Sequence, residues 1–243
     1  MKLLSIGNSF SQDAHKWLHQ LAVACGIDLE TVNLYIGGCS LETHWKNVEE
    51  ENEYYELGRN GGNTERMITI QEALTMDNWD VITVQQVSNF SGMPESYEPY
   101  LSNLVALIRK TCPNAKLYFH QTWAYEIDSQ HPAFVNYGND QHTMFNRILA
   151  TSQQMAEKIG AQLIPAGAFI QYLRENVTDF DYANGGLSLC RDGFHMSWDY
   201  GRFAVAAIWL RTLVGHPIAT STFEDFDSDK VAKILQCANE MCN

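Results

Sequence analysis

Short runs rich in Val, Ile, Leu, Tyr and Phe alternate along the chain with longer stretches in which apolar residues recur every three to four positions. The runs at 2–6, 29–36, 80–85, 115–120 and 161–165 have strand length and composition, and the intervals between them are too long for hairpins. The periodic stretches 12–25, 96–111 and 140–159 read as amphipathic helices, stopped by Gly26, by the approach of Pro113 and by Gly160. Two more helices are expected over 198–213 and 224–241. Strands that are nearly continuous in apolar residues and alternate with helices predict a parallel sheet covered on both faces. The expected fold is α/β, a single domain over residues 1–243 with five parallel strands.

In such sheets ligands gather beyond the C-terminal ends of the strands. The segments in those places read GNSFS, GGCSLE, QVSNFSG, QTWAY and AGAF, a polar and aromatic set. In the fourth of these segments, Trp123 and Tyr125 offer faces for a sugar ring and Gln121, with His120 just before it, offers groups for its hydroxyls; core packing is the alternative. The acidic, glycine-punctuated stretch 49–63 reads as a solvated insertion, and the connection 124–138 as part of a rim. Trp198, Tyr200, Phe203 and Trp209 fall at helical spacings, mostly on a buried helix face.

Composition narrows the partners. A formal charge of -13, from 16 basic and 29 acidic residues, repels phosphate backbones and anionic lipids, and no Lys/Arg cluster offsets it, so nucleic acid is not expected. No stretch has the length of a bilayer span, and the N-terminus lacks the layout of a signal peptide. The six cysteines are scattered without a CxxC pair, as small incidental thiols in a reducing cytoplasm would be.

The candidate chemistry begins at the first strand end. A serine at a strand-to-helix corner, Ser9, sits where its own N–H and the helix dipole favour an oxyanion, which suits a nucleophile. The same stretch, Ser9-Phe10-Ser11-Gln12, also spells a capping box, so a partner base has to decide between the two. One is available in DGFH, where Asp192 precedes His195 across an Asp-Gly turn: the carboxylate orients one imidazole nitrogen and leaves the other to take a serine proton. A turn-building aspartate and a satisfied loop histidine are the plainer reading. His15 and His19 share a helical face at a spacing that chelates metals, but no third ligand lies near them in sequence, and an exposed face is expected instead.

With IGNSFS, YIGGCSLE, WDVITVQQVSN and DGFH in this order, the chain resembles the SGNH (GDSL-type) hydrolases, and more closely their DUF4886 branch. The resemblance implies a three-layer α/β/α sandwich with Ser9 as nucleophile, His195 as base and Asp192 as its orienting partner. It also implies an oxyanion hole made by the N–H groups of Ser9 and of Gly38 or Leu41 and by a side-chain amide, Asn89 or else Gln85 or Gln86. Val87 and Phe90 stand where the family has glycine and aspartate, and the GND at Gly138–Asp140 opens a helix instead. The implied activity is hydrolysis of a small acyl ester, acetyl first, on a carbohydrate, with no metal or cofactor and no membrane partner. The rivals are a catalytically degenerate glycan-binding protein and a metal-dependent phosphoesterase.

Overall fold

The computed structural model describes residues 1–242. Along the chain come β1 (Lys2–Gly7), α1 (Ser9–Ala24), β2 (Glu30–Tyr35), α2 (Leu41–Glu49), β3 (Tyr55–Arg59), β4 (Gly62–Ile68), α3 (Ile70–Thr75) and β5 (Val81–Val84). They are followed by α4 (Tyr100–Thr111), β6 (Lys116–His120), α5 (Gln141–Lys158), β7 (Gln162–Ile164), α6 (Ala166–Asn176), α7 (Tyr200–Val214) and α8 (Ser228–Met241). All strands belong to one sheet in the order β4-β3-β2-β1-β5-β6-β7. Side chains of β1 alternate between two apolar cores, Leu3 on the face covered by α1, α6, α7 and α8, Leu4 and Ile6 on the face covered by α2, α3 and α4. This is the layered sandwich the sequence predicts.

The five expected runs are the five parallel strands β2, β1, β5, β6 and β7. The sheet nevertheless has seven strands, because the stretch expected to be a solvated insertion supplies β3 and leads into β4, an antiparallel hairpin added to the edge of β2. Its turn is Asn60-Gly61, both with positive φ (51° and 79°), a pairing that matches the twist of a two-residue hairpin. Tyr55 and Leu57 alternate inward along β3 and are buried. Gly61 presses against α1 so closely that a Cβ would lie 2.5 Å from the Lys16 carbonyl oxygen. Asn60 also accepts from Thr31 N–H and Gln20 Nε2.

The helices differ from expectation mainly at their ends. α4 begins at Tyr100 because Pro99 disfavours helical backbone before it, and α8 begins after Asp227, whose carboxylate caps it. α2, α3 and α6 were not legible as periodic stretches. α7 is mostly apolar, with Arg202 and Arg211 as buried exceptions, and almost entirely buried, packed against α1 and α8; Phe203 and Trp209 lie inside, but Trp198, ahead of the helix, is 63% exposed. All six cysteines are free thiols. No helix among the described residues is long and apolar enough to cross a membrane.

Candidate active site

Strand β1 delivers the chain to a corner that admits little besides its own residues. At Gly7 a Cβ would lie 2.3 Å from Ser11 Oγ and 3.1 Å from Gln85 Oε1, so glycine is required by space. The N-cap of α1 is Asn8, whose Oδ1 accepts from Phe10 N–H at 3.0 Å, while Gln12 N–H donates to the Asn8 carbonyl. The cap is therefore Asn8, one residue before the expected Ser9, and in place of a capping box Ser11 Oγ donates to the Asn8 carbonyl and to Asn33. Ser9 is the first helical residue, its hydroxyl released from capping, and its N–H has no partner among the described residues.

That hydroxyl meets the loop 190–196, which an isolated bridge between Cys190 and Met196 folds back on itself. His195 Nε2 lies 2.9 Å from Ser9 Oγ, and His195 Nδ1 lies 2.7 Å from Asp192 Oδ2. A carboxylate can only accept, so Nδ1 carries the proton and the Nε2 lone pair faces the serine hydroxyl. The two readings of Asp192 turn out to be compatible. Oδ1 builds the turn by accepting the N–H groups of Phe194 and His195, and Oδ2 takes the ring. Burial pulls the Asp192 carboxyl upward, but the hydrogen bonds from the His195 ring and from the two N–H groups, with the imidazole's charge, hold it below the usual carboxylate range.

Among the residues that hold this loop in place, Asp13, Arg191 and Arg202 were not singled out by sequence reasoning. Asp13, one turn after Ser9 and fully buried, accepts from Arg202 Nε at 2.7 Å, from Met196 N–H at 2.8 Å and from Arg191 Nη1 at 3.0 Å. Arg191 also donates to the Met196 carbonyl, and the exposed ring of Trp198 lies over both guanidinium groups. From the other side, Trp123 Nε1 donates to the Phe194 carbonyl at 2.7 Å and its ring stacks on Phe10, next to Ser9. The connection 124–138 closes against the same loop: Glu126 N–H donates to the Gly193 carbonyl, and Ser129 packs where a Gly193 Cβ would be. The available signal for Asp13 was its place on the helical face of Trp17 and Leu21, where a carboxylate requires partners if that face is buried.

Of the amides expected near the oxyanion, three groups are already engaged. Leu41 N–H donates to Gln86 Oε1, and Gln86 Nε2 donates to Ser96, so both leave the candidate set. Gln85 leaves it too: its Nε2 donates to Asn8 Oδ1 and its Oε1 accepts from His120 Nδ1. Gly38, exposed and at φ 65°, has an N–H without a partner among the described residues. Its loop is fastened to the serine corner by Asn8 Nδ2, which donates to the Cys39 carbonyl at 3.0 Å. The Asn89 side chain is half-buried, and its backbone carbonyl accepts from Tyr137.

The residues expected to hold a sugar are not at a surface. His120, Gln121, Trp123 and Tyr125 are all buried. His120 packs edge-on against Trp209 of α7, Gln121 bonds Ser152 and the Ala168 N–H, and the Tyr125 hydroxyl pairs with Ser88. The end of β6 is roofed by α7 and by Phe10, so it is core. The face of α1 carrying His15 and His19 is likewise not the exposed one expected: His15 Nε2 accepts from Ser5, itself held by Thr83, and His19 donates to the Leu29 carbonyl. Burial lowers both His15 and His120 to about 3, in the latter with a contribution from His15. Among the described residues no group of three or more His, Cys, Asp or Glu is arranged to hold a metal ion.

A family model for a domain of unknown function, DUF4886, matches residues 2–240. The crystal structure of a DUF4886 family protein from Bacteroides uniformis is 34% identical, covering 99% of this chain and 93% of that one with a TM-score of 0.90. A protein from Slackia heliotrinireducens assigned to the SGNH hydrolases is 22% identical over 88% of this chain and 98% of its own, with a TM-score of 0.60. An acetylxylan esterase from Geobacillus stearothermophilus, crystallised as a catalytic mutant, is 16% identical over 88% and 92% of the two chains, with a TM-score of 0.52. The last two share the fold. No curated protein matches the chain.

Proposed function

The chain belongs to the DUF4886 family and has the SGNH-hydrolase fold, and from that premise we propose that it is a serine esterase removing a small acyl group, acetyl first, from a carbohydrate. The observation that carries the reading is the unbroken hydrogen-bond chain from Ser9 Oγ through His195 to Asp192. A hydroxyl, an imidazole and a carboxylate in that order activate the oxygen at neutral pH.

In the proposed route His195 Nε2 takes the hydroxyl proton as Ser9 Oγ bonds to the ester carbonyl carbon. The tetrahedral oxyanion receives the N–H groups of Ser9 and Gly38 and the side-chain amide of Asn89. The intermediate collapses by breaking the bond to the alcohol oxygen, which leaves with the proton from His195. Water repeats the sequence on the acyl-enzyme: it loses a proton to His195, adds to the carbonyl, and releases the acid and the free serine. Asp192 holds the Nδ1–H tautomer throughout and stabilises the imidazolium. The route uses no metal or cofactor.

The acetylxylan esterase of the same fold makes O-acetylated sugars the first esters to assay. Labelling with a fluorophosphonate followed by peptide mapping tests the reading. Modification at Ser9, lost in Ser9→Ala, is expected; ester turnover with Ser9 unmodified would overturn it. A protein that binds glycans without turning over p-nitrophenyl acetate would instead be the degenerate binding module.

A further inference from the structure

Beside the His195 loop, between α5, α6 and the segment 181–184, lies a groove of about 260 Å³. Glu126, Gln141, Gln171 and Arg174 line it, each more than nine-tenths buried. Arg174 is anchored by Nη1 on the Ala124 carbonyl and by Nη2 on Glu126 and Cys190. Gln171 Nε2 donates to Gln141 and Glu175. What remains are one donor and one acceptor, Arg174 Nε and Gln171 Oε1, buried without hydrogen-bond partners and one turn apart on α6. Unpaired buried groups of this kind carry a standing energetic cost that a bound polar group removes.

The pair defines the chemistry of the group. An anion would satisfy Arg174 but not Gln171, and would face Glu175 and Asp181; a cation has nothing to offer Arg174. A hydroxyl accepts from one and donates to the other. Tyr182, 36% exposed and held by its hydroxyl to Asp128, adds a ring to the wall, the kind of surface against which the C–H face of a sugar lies. The groove shares Glu126 and Tyr182 with a second hollow of about 300 Å³ lined by Ser129, Asp192 and Gly193. The two hollows thus adjoin at shared wall residues, the second bordering the loop that carries His195.

We propose that this groove is a subsite for the neutral sugar units of the substrate's alcohol part, replacing the buried segment after β6 as the place where a glycan is held. Its role in catalysis rests on the esterase reading above, whereas sugar binding itself needs no turnover. The test is a glycan array of neutral oligosaccharides, with and without O-acetyl groups, probed with the full chain carrying Ser9→Ala, alone and combined with Tyr182→Ala or Gln171→Met. Retention of neutral oligosaccharides is expected, weakened at least about tenfold by either second substitution, with circular dichroism confirming the folded state of each variant. No retained oligosaccharide, or retention untouched by both substitutions, would overturn the subsite and leave the groove to water. Turnover of p-nitrophenyl acetate by the wild type is scored separately. Turnover without glycan binding defeats the subsite alone, and glycan binding without turnover supports the subsite while defeating the reading of Ser9.

Discussion

At the level of single residues, Ser9 and Asn8 divide two tasks that the sequence assigns to one position. If Ser9 capped α1, Ser9→Ala would cost about 1 kcal/mol of stability. With Asn8 as the cap, Ser9→Ala is expected to leave the melting temperature unchanged while lowering kcat for p-nitrophenyl acetate by about 10⁴-fold or more; a clear drop in melting temperature would return the serine to a capping role. Asn8→Ala is expected to do the reverse in part. It removes the cap, costing about 1 kcal/mol, and frees the Gly38 loop from its tether at the Cys39 carbonyl, lowering kcat by about 10²-fold, the size of effect that misplacing one oxyanion donor produces. Ser9, Asp192 and His195 were legible as candidates because IGNSFS and DGFH carry the family resemblance, while residue type alone left a cap, a turn and a loop histidine as alternatives. Asn8 was not, because its side chain acts on Cys39 and Gln85, 31 and 77 positions away.

At the level of elements, the question is how a loop near the end of the chain stays in register with its first helix. Asp13 answers it, fastening α1 to Arg191, Met196 and Arg202 at once. Removing one partner from a buried ion pair costs about 3–5 kcal/mol, so Asp13→Asn is expected to lower the melting temperature by roughly 6–20 °C and to reduce kcat more than it raises KM, because the ring of His195 loses its register with Ser9. A variant as active and as stable as wild type would show that the loop holds its own shape. The hairpin β3–β4 shows where element reading failed. Its Asn60-Gly61 turn and the inward alternation of Tyr55 and Leu57 were present in the sequence, but acidic neighbours outweighed them. The segment after β6 failed for the opposite reason: polar and aromatic residues at a strand end look like a rim unless one knows that α7 lies across it.

At the level of the whole molecule, His15, His44 and His120 are each held by burial at about 3, well below an ordinary imidazole. Their folded pKa values are depressed, so below roughly pH 6.5 the unfolded chain takes up protons that the folded one refuses. Stability is therefore fully present above that range and falls as pH drops from there towards about 3. Asp192, also depressed, adds a loss in the same direction at lower pH, as its carboxyl titrates. The melting temperature is expected to decline already between about pH 6.5 and 5, before carboxylates titrate; a flat profile there would mean that these histidines are reached by water.

The sequence by itself determined the alternation of strand and helix and the five parallel strands, which follow from local periodicity, and it marked a serine, a histidine and an aspartate as candidates through the motifs that carry the family resemblance. Tertiary structure alone decided which polar groups are still free once the chain has closed on itself. Leu41, Gln85 and Gln86 were removed from the oxyanion candidates by partners elsewhere in the chain, and the segment after β6 was taken into the core, His120 by Trp209 of α7, Trp123 by Phe10, Gln121 by Ser152 and Ala168, and Tyr125 by Ser88 and Phe134. Hydrogen-bonding capacity and exposure are properties of what lies across the fold from a residue, and no window along the chain contains them.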